Sequence, residues 1–282
     1  MYFKIAIVTF CLILTIEGRP TVEPYNGNGF LFSRIVGGIE APPGFAKHMV
    51  ALVFGEIFRF VSCGGSIITK KHVLTAAHCI EPFIYPWGGN GIDPQLRGSI
   101  GSNYWESTEY MIDFERFINH PEWNSVTIKN DIGVLMTKAE IQYNDVIGPI
   151  ALNFKHIDEP VKSFVTGWGN LELYGETPDR LQLLIKDTIT SKQCITDVKN
   201  ASMGFSPPHD PHTEICTLHS YGHGMCHGDS GSALVAIATR QQIGIVSWGF
   251  PCARGAPDMF TRLSAFYDFL ANAVAPYTLT NL

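Results

Sequence analysis

The chain has 282 residues and a net charge of −6, so a nucleic-acid-binding surface is not expected of it. Hydrophobic residues make up 45% and charged residues 16%, the balance of a globular protein with a sizeable core; the length suits one large β domain or two small ones. Beyond the amino-terminal segment no apolar run reaches membrane-spanning length, so no membrane partner is expected.

Residues 1–18 read as a signal peptide. Lys4 gives the positive start, Ile5 to Ile16 is mostly apolar, and Gly18 offers a small residue for cleavage. The competing reading, a membrane anchor, needs a longer run. A secreted, extracellular chain follows. Of the 7 cysteines, Cys11 leaves with this segment; the remaining even number suits disulfides, with the pairing left open by sequence alone.

Residues 19–34 are rich in Pro, Gly and Asn and have no apolar period. They end at Arg34, directly before Ile35-Val36-Gly37-Gly38, and read as a short propeptide with a basic cleavage site. The segment holds no cysteine, so nothing tethers it after a cut. Residues 35–282 then form the body of the protein.

That body consists of short β-type runs separated by turn clusters: Met49–Phe54, His72–Thr75, Ile132–Met136, Val161–Thr166, Leu183–Ile189, Ala233–Ile237 and Ile243–Ser247. The spacing predicts an all-β barrel or sandwich. Near the end, Phe266, Phe269, Leu270, Ala273 and Val274 share one helical face. Ser264 is expected to cap that helix, Pro276 to limit it, and its stripe to pack on the second half of the chain.

Three stretches carry chemistry. Cys226-His227-Gly228-Asp229-Ser230-Gly231-Ser232 holds a serine between glycines, where a turn can expose a hydroxyl and neighbouring N–H groups. As an isolated stretch it reads equally as an ordinary turn. Leu74-Thr75-Ala76-Ala77-His78-Cys79 supplies a histidine with small residues behind it and a cysteine to pin its loop. Asn130-Asp131-Ile132-Gly133-Val134-Leu135 supplies a carboxylate entering an apolar run, which needs a partner such as an imidazole N–H. His78, Asp131 and Ser230 thus occur in one of the chain orders used by acyl-transfer triads.

With Arg34-Ile35-Val36-Gly37-Gly38, Gly167-Trp168-Gly169 and Ser247-Trp248-Gly249 added, the chain from about residue 35 to 275 resembles the chymotrypsin-fold (trypsin-like) serine peptidases, in look the chymotrypsin-like digestive peptidases of arthropods. The resemblance implies two six-stranded antiparallel barrels with the site between them and a carboxy-terminal helix. It implies the disulfides Cys63–Cys79, Cys194–Cys216 and Cys226–Cys252, and Gly228 and Ser230 as oxyanion-hole amides. It also implies cleavage after Arg34 by a trypsin-like peptidase, which frees the Ile35 ammonium to pair with Asp229. Ser247-Trp248-Gly249 matches the edge that pairs with an extended substrate. Protein or peptide substrates and proteinaceous inhibitors are the implied partners; no cofactor and no metal are expected.

The family's pocket floor falls at Gly224, which brings no charge, while Asp258 replaces a common wall glycine. Two outcomes compete: Asp258 demands a cationic P1 side chain, or it is hydrated or paired below the floor and leaves an apolar slot for Phe, Tyr or Leu. Geometry favours the second, since a displaced charge loses direct contact. A trypsin-like processing peptidase is the alternative. A second departure, Gly231-Ser232-Ala233 in place of Gly-Gly-Pro, strains the loop if Ser232 must adopt a glycine conformation, and is what supports an impaired family member acting as a binding or regulatory protein. His209 and His212 read as a solvated loop and His227 as a pocket-rim residue. The run around Trp87-Gly88-Gly89 carries no assigned role. Asn200-Ala201-Ser202 is a glycosylation sequon.

Overall fold

The computed structural model describes residues 36–84, 91–107, 109–203, 209–250 and 252–279. The signal and propeptide expectations, Arg34, Ile35 and the Trp87 run lie outside them.

The first six long strands are β2 (Met49–Phe54), β3 (Phe60–Thr69), β4 (His72–Thr75), β5 (Leu96–Ile100), β6 (Met111–Asn119) and β7 (Gly133–Thr137), preceded by the two-residue β1 (Ile39–Glu40). They close into an antiparallel barrel in the order β2-β3-β4-β7-β6-β5. The second barrel uses β8 (Lys162–Gly167), β9 (Gln182–Ile189), β10 (Glu214–Leu218), β11 (Ala233–Ala236), β12 (Gln241–Gly249) and β13 (Asp258–Arg262). Their order is β9-β10-β13-β12-β11-β8, and β8 pairs back to β9 to close the ring; β1 extends the β9 edge. Closure leaves few free edges, the main hazard of an all-β chain.

The strands follow from burial. In β2 the run Met-Val-Ala-Leu-Val is wholly buried. β9 alternates after Leu184, with Ile185 and Asp187 outward and Lys186 and Thr188 inward. β3 carries Gly64 and Gly65 at its centre, and a side chain on Gly64 would collide with Ser232 Oγ, 2.1 Å from the added Cβ. The absence of that side chain lets a loop of the second barrel dock on the first: the Gly64 N–H donates to Ser230 O at 2.7 Å.

Among the described residues three α-helices lie outside the barrels: α1 (Ala77–Ile80), α2 (Ser191–Ser202) and α3 (Tyr267–Val274). α2 was not legible from periodicity; it buries only Cys194 and Val198, and Thr190 caps it by accepting from the Gln193 N–H. α3 corrects two expectations. Ser264 sits in a separate 3-10 turn, Leu263–Ala265, and the helix begins after Phe266 without a side-chain cap. Its apolar face joins a core shared by both barrels and not the second's alone: Phe266, Leu270, Ala273 and Val274 cluster with Val50, Leu52 and Leu135 of the first and with Ala233, Val235 and Ile245 of the second. Phe266 and Phe269 meet the His120 ring at 5.2 and 5.0 Å. The terminal helix therefore straps the two halves together. Asn200 lies exposed on α2.

Candidate active site

His78 lies on the single turn of α1, immediately after β4, and its loop is tied to β3 by the Cys63–Cys79 disulfide. Asp131 precedes β7 and follows Asn130, whose φ of +56° makes the turn. The Asp131 side chain is almost wholly buried, so its charge must be met by donors. It is: Oδ1 accepts the His78 backbone N–H at 3.0 Å, and Oδ2 accepts from His78 Nδ1 at 2.7 Å and from Ser247 Oγ at 2.5 Å. A carboxylate only accepts, so Nδ1 carries the ring proton and Nε2 keeps its lone pair. Thr261 Oγ1 donates to the Asp131 carbonyl at 2.6 Å, anchoring the backbone as well.

The position of Ser247 has a local cause. The β12–β13 register shifts between Val246 and Trp248, an irregularity of the kind that re-aims side chains beside sites. Burial pulls the His78 pKa down, but the Asp131 charge, its hydrogen bond and the Glu81 charge outweigh this and raise it above 6.5.

Ser230 occupies a turn held by Gly228 at φ +96° and Gly231 at φ +80°. A Cβ at Gly231 would lie 2.2 Å from Thr75 Oγ1, so only glycine lets this loop approach β4 so closely. The neighbouring amides are spent: Asp229 N–H donates to Cys226 O, Gly231 N–H to Val246 O and Ser232 N–H to Asp229 O. Among the described residues the N–H groups of Gly228 and Ser230 have no acceptor. His78 Nε2 lies 3.7 Å from Cys79 Sγ and has no hydrogen bond to Ser230.

Ser232 corrects another expectation. The glycine conformation falls on Gly231, and Ser232 has no positive φ. Its hydroxyl is buried against Gly64 with no partner among the described residues. Gly64→Ala is expected to lower stability by ~1–3 kcal/mol through overpacking, and Ser232→Gly in that background to restore most of it. Urea unfolding of the single and double variants checks this; additive effects would contradict the contact.

Next to Ser230 opens a cavity of about 220 Å³ lined by Met225, Cys226, His227, Val246, Trp248 and Asp258, among others. Cys226–Cys252 staples two of its walls, and Cys194–Cys216 braces α2 to β10. His227 is exposed at the rim. Gly224 and Gly249 lie against the two oxygens of Asp258: a Cβ on either would come within 3.2 Å. Asp258 opens β13 opposite Gly249 and is 5% exposed. Its Oδ2 accepts the Met225 N–H at 3.2 Å and binds the Lys186 ammonium.

Sequence patterns missed Lys186, and also the support of Trp248. The indole N–H donates to Glu214 Oε1 at 2.8 Å, and Lys129, 2.7 Å from that same oxygen, lies over the ring at 5.3 Å. His209 is not solvated as expected. It is buried 3.5 Å from Glu214 Oε2 and touches Cys216 Sγ; His212 is exposed. The groupings of His78 or His209 with two cysteines use sulfurs already bonded to each other, which leaves no thiolate for a metal.

The family profile named Trypsin matches residues 35–270. The chain belongs to the trypsin family of serine endopeptidases. Chymotrypsin-2 of Vespa crabro is 35% identical over 84% of this chain and 98% of its own. Trypsin II-P29 of Gallus gallus is 30% identical over 94% and 98%, and Trypsin-1 of Astacus astacus 32% over 85% and 100%. These relatives bear both names, so similarity alone assigns the peptidase no P1 preference. Among its described residues no helix is long and apolar enough to cross a membrane.

Proposed function

We propose that this peptidase is secreted, is made as a zymogen cut after Arg34, and cleaves protein substrates through an acyl-enzyme on Ser230 with a chymotrypsin-like P1 preference. The observation that carries the catalytic reading is the His78 ring held by a carboxylate with three side-chain and backbone donors. That arrangement fixes the tautomer that leaves Nε2 basic.

In the proposed sequence Ser230 Oγ attacks the scissile carbonyl as its proton passes to His78 Nε2. The carbonyl oxygen becomes an oxyanion and takes the unused N–H groups of Gly228 and Ser230. His78 then protonates the leaving amine, and water repeats the cycle on the acyl ester. The Nε2–Oγ hydrogen bond forms as substrate seats, since such contacts are often long without substrate. The substrate backbone pairs with Ser247 to Gly249, and Trp248 is braced for that role by Glu214 and Lys129.

The apolar walls Met225, Val246 and Trp248, with Asp258 already engaged, support an uncharged P1 residue. The ordinary backbone at Ser232 weakens the case for an impaired, non-catalytic member, which Ser232 and Ala233 together had supported. A serine-directed sulfonyl fluoride should label Ser230 alone, and a P1-scanning peptide set should be cut after Phe, Tyr or Leu. Peptidase activity undiminished in Ser230→Ala would overturn the catalytic reading; cleavage confined to Lys and Arg would overturn the P1 reading and favour the processing-peptidase alternative.

A further inference from the structure

Lys186 is an inward-facing lysine in the middle of β9, 2% exposed. Lysine is almost never so buried without a partner. Its partner is Asp258, and the direction of approach matters. Asp258 sets Oδ2 against Gly224 and Oδ1 against Gly249 and lines the cavity beside Ser230. Lys186 comes to the same carboxylate from the barrel interior, is absent from the cavity lining, and binds the Oδ2 that also accepts the Met225 N–H.

An unpaired carboxylate at this floor would seek a cation from the pocket, which a P1 lysine or arginine would bring. Here that position in the charge balance is already filled from behind. We propose that Lys186 is a specificity-determining residue, a built-in cation that satisfies Asp258 from beneath the pocket and turns away substrates with a basic P1 side chain. A P1 ammonium entering this slot would shed its water and meet a pair with no net charge, so its desolvation goes uncompensated. A phenyl or branched aliphatic side chain meets the apolar walls and asks nothing of the floor. The inference deepens the proposed peptidase function and rests on it.

The test separates the two. Binding of p-aminobenzamidine, a fluorescent aryl cation, is measured on protein cut after Arg34 in a Ser230→Ala background, where no catalysis is needed. Lys186→Met should tighten binding by on the order of 10²-fold, because the probe becomes the missing partner of Asp258. Adding Asp258→Asn should return it to weak binding. In the Ser230 protein, Lys186→Met should shift cleavage toward Lys and Arg by a similar factor. Merely structural loss would weaken all ligands and gain none. If Lys186→Met does not fold, the unsubstituted floor still decides: p-aminobenzamidine binding as tight as at an open carboxylate, or wild-type cleavage after Lys and Arg, overturns the proposal. So does a foldable Lys186→Met with unchanged affinity for the probe. Absence of any peptidase activity would instead remove the functional reading and leave the binding result standing.

Discussion

Asp131→Asn is expected to lower kcat by about 10⁴-fold, a magnitude taken over from this family's triad, with little change in fold. The amide can still meet Ser247 and the His78 backbone, but it presents an N–H donor where Nδ1 now donates. The ring then turns to the other tautomer or loses its hold, and Nε2 no longer accepts from Ser230. The pH profile gives a second readout. In the wild type burial lowers the His78 pKa, while Asp131 by charge and hydrogen bond, with Glu81, raises it to a net value above 6.5. Catalysis needs the neutral ring, so the acid limb of kcat/KM should lie above 6.5 and activity should rise with pH through it. In Asp131→Asn the largest raising contributions are gone and burial remains, so the limb should move to lower pH. A limb that stays in place while kcat falls would mean that Asp131 does not set the His78 environment.

The proposed triad positions could be picked out in sequence because each sits in a short stretch with its own local reason: Ala76 and Ala77 behind His78, an apolar run after Asp131, glycines around Ser230. Strands with strong apolar runs, such as β2 and β4, were legible to the residue. β3 was not, since Gly64-Gly65 breaks its pattern and makes sense only once Ser232 packs against it. β13 begins with Asp258 and ends with Arg262, both buried, and only tertiary partners explain such polar residues in a core strand. The floor of the pocket shows the limit best. Asp258 could be placed near it by resemblance, but its partner lies 72 residues earlier in the chain. Within the β9 run Lys186 is merely the first of three consecutive polar residues, Lys186-Asp187-Thr188. Long-range pairs of this kind leave no periodic trace.

Arg34→Gln is expected to abolish activation by tryptic cleavage, and its physical basis is Asp229. That carboxylate is fully buried and accepts only two backbone bonds among the described residues, from Gly169 N–H at 2.9 Å and Cys226 N–H at 3.0 Å. Burial pushes its pKa up to about 7, against the pull of those two bonds, with the Asp258 charge adding to the rise and Lys186 opposing it. A raised carboxylate pKa stabilises the fold fully below the unfolded value of ~3.9 and loses that contribution as pH climbs through about 7. Ionised and unpaired, Asp229 costs the uncut chain on the order of 4 kcal/mol at neutral pH. A freed Ile35 ammonium would supply the missing cation, holding Asp229 ionised and removing that cost until the amine itself deprotonates above ~8. Cleaved protein should therefore gain Tm over uncut protein most between pH 7 and the amine's pKa. The gain should be small below pH 5 and fade again at alkaline pH. Calorimetry of cut protein and of Arg34→Gln across that range tests the pairing. Parallel Tm curves, or full activity in Arg34→Gln shown by amino-terminal sequencing to be uncut, would rule out Asp229 as the group that cleavage engages.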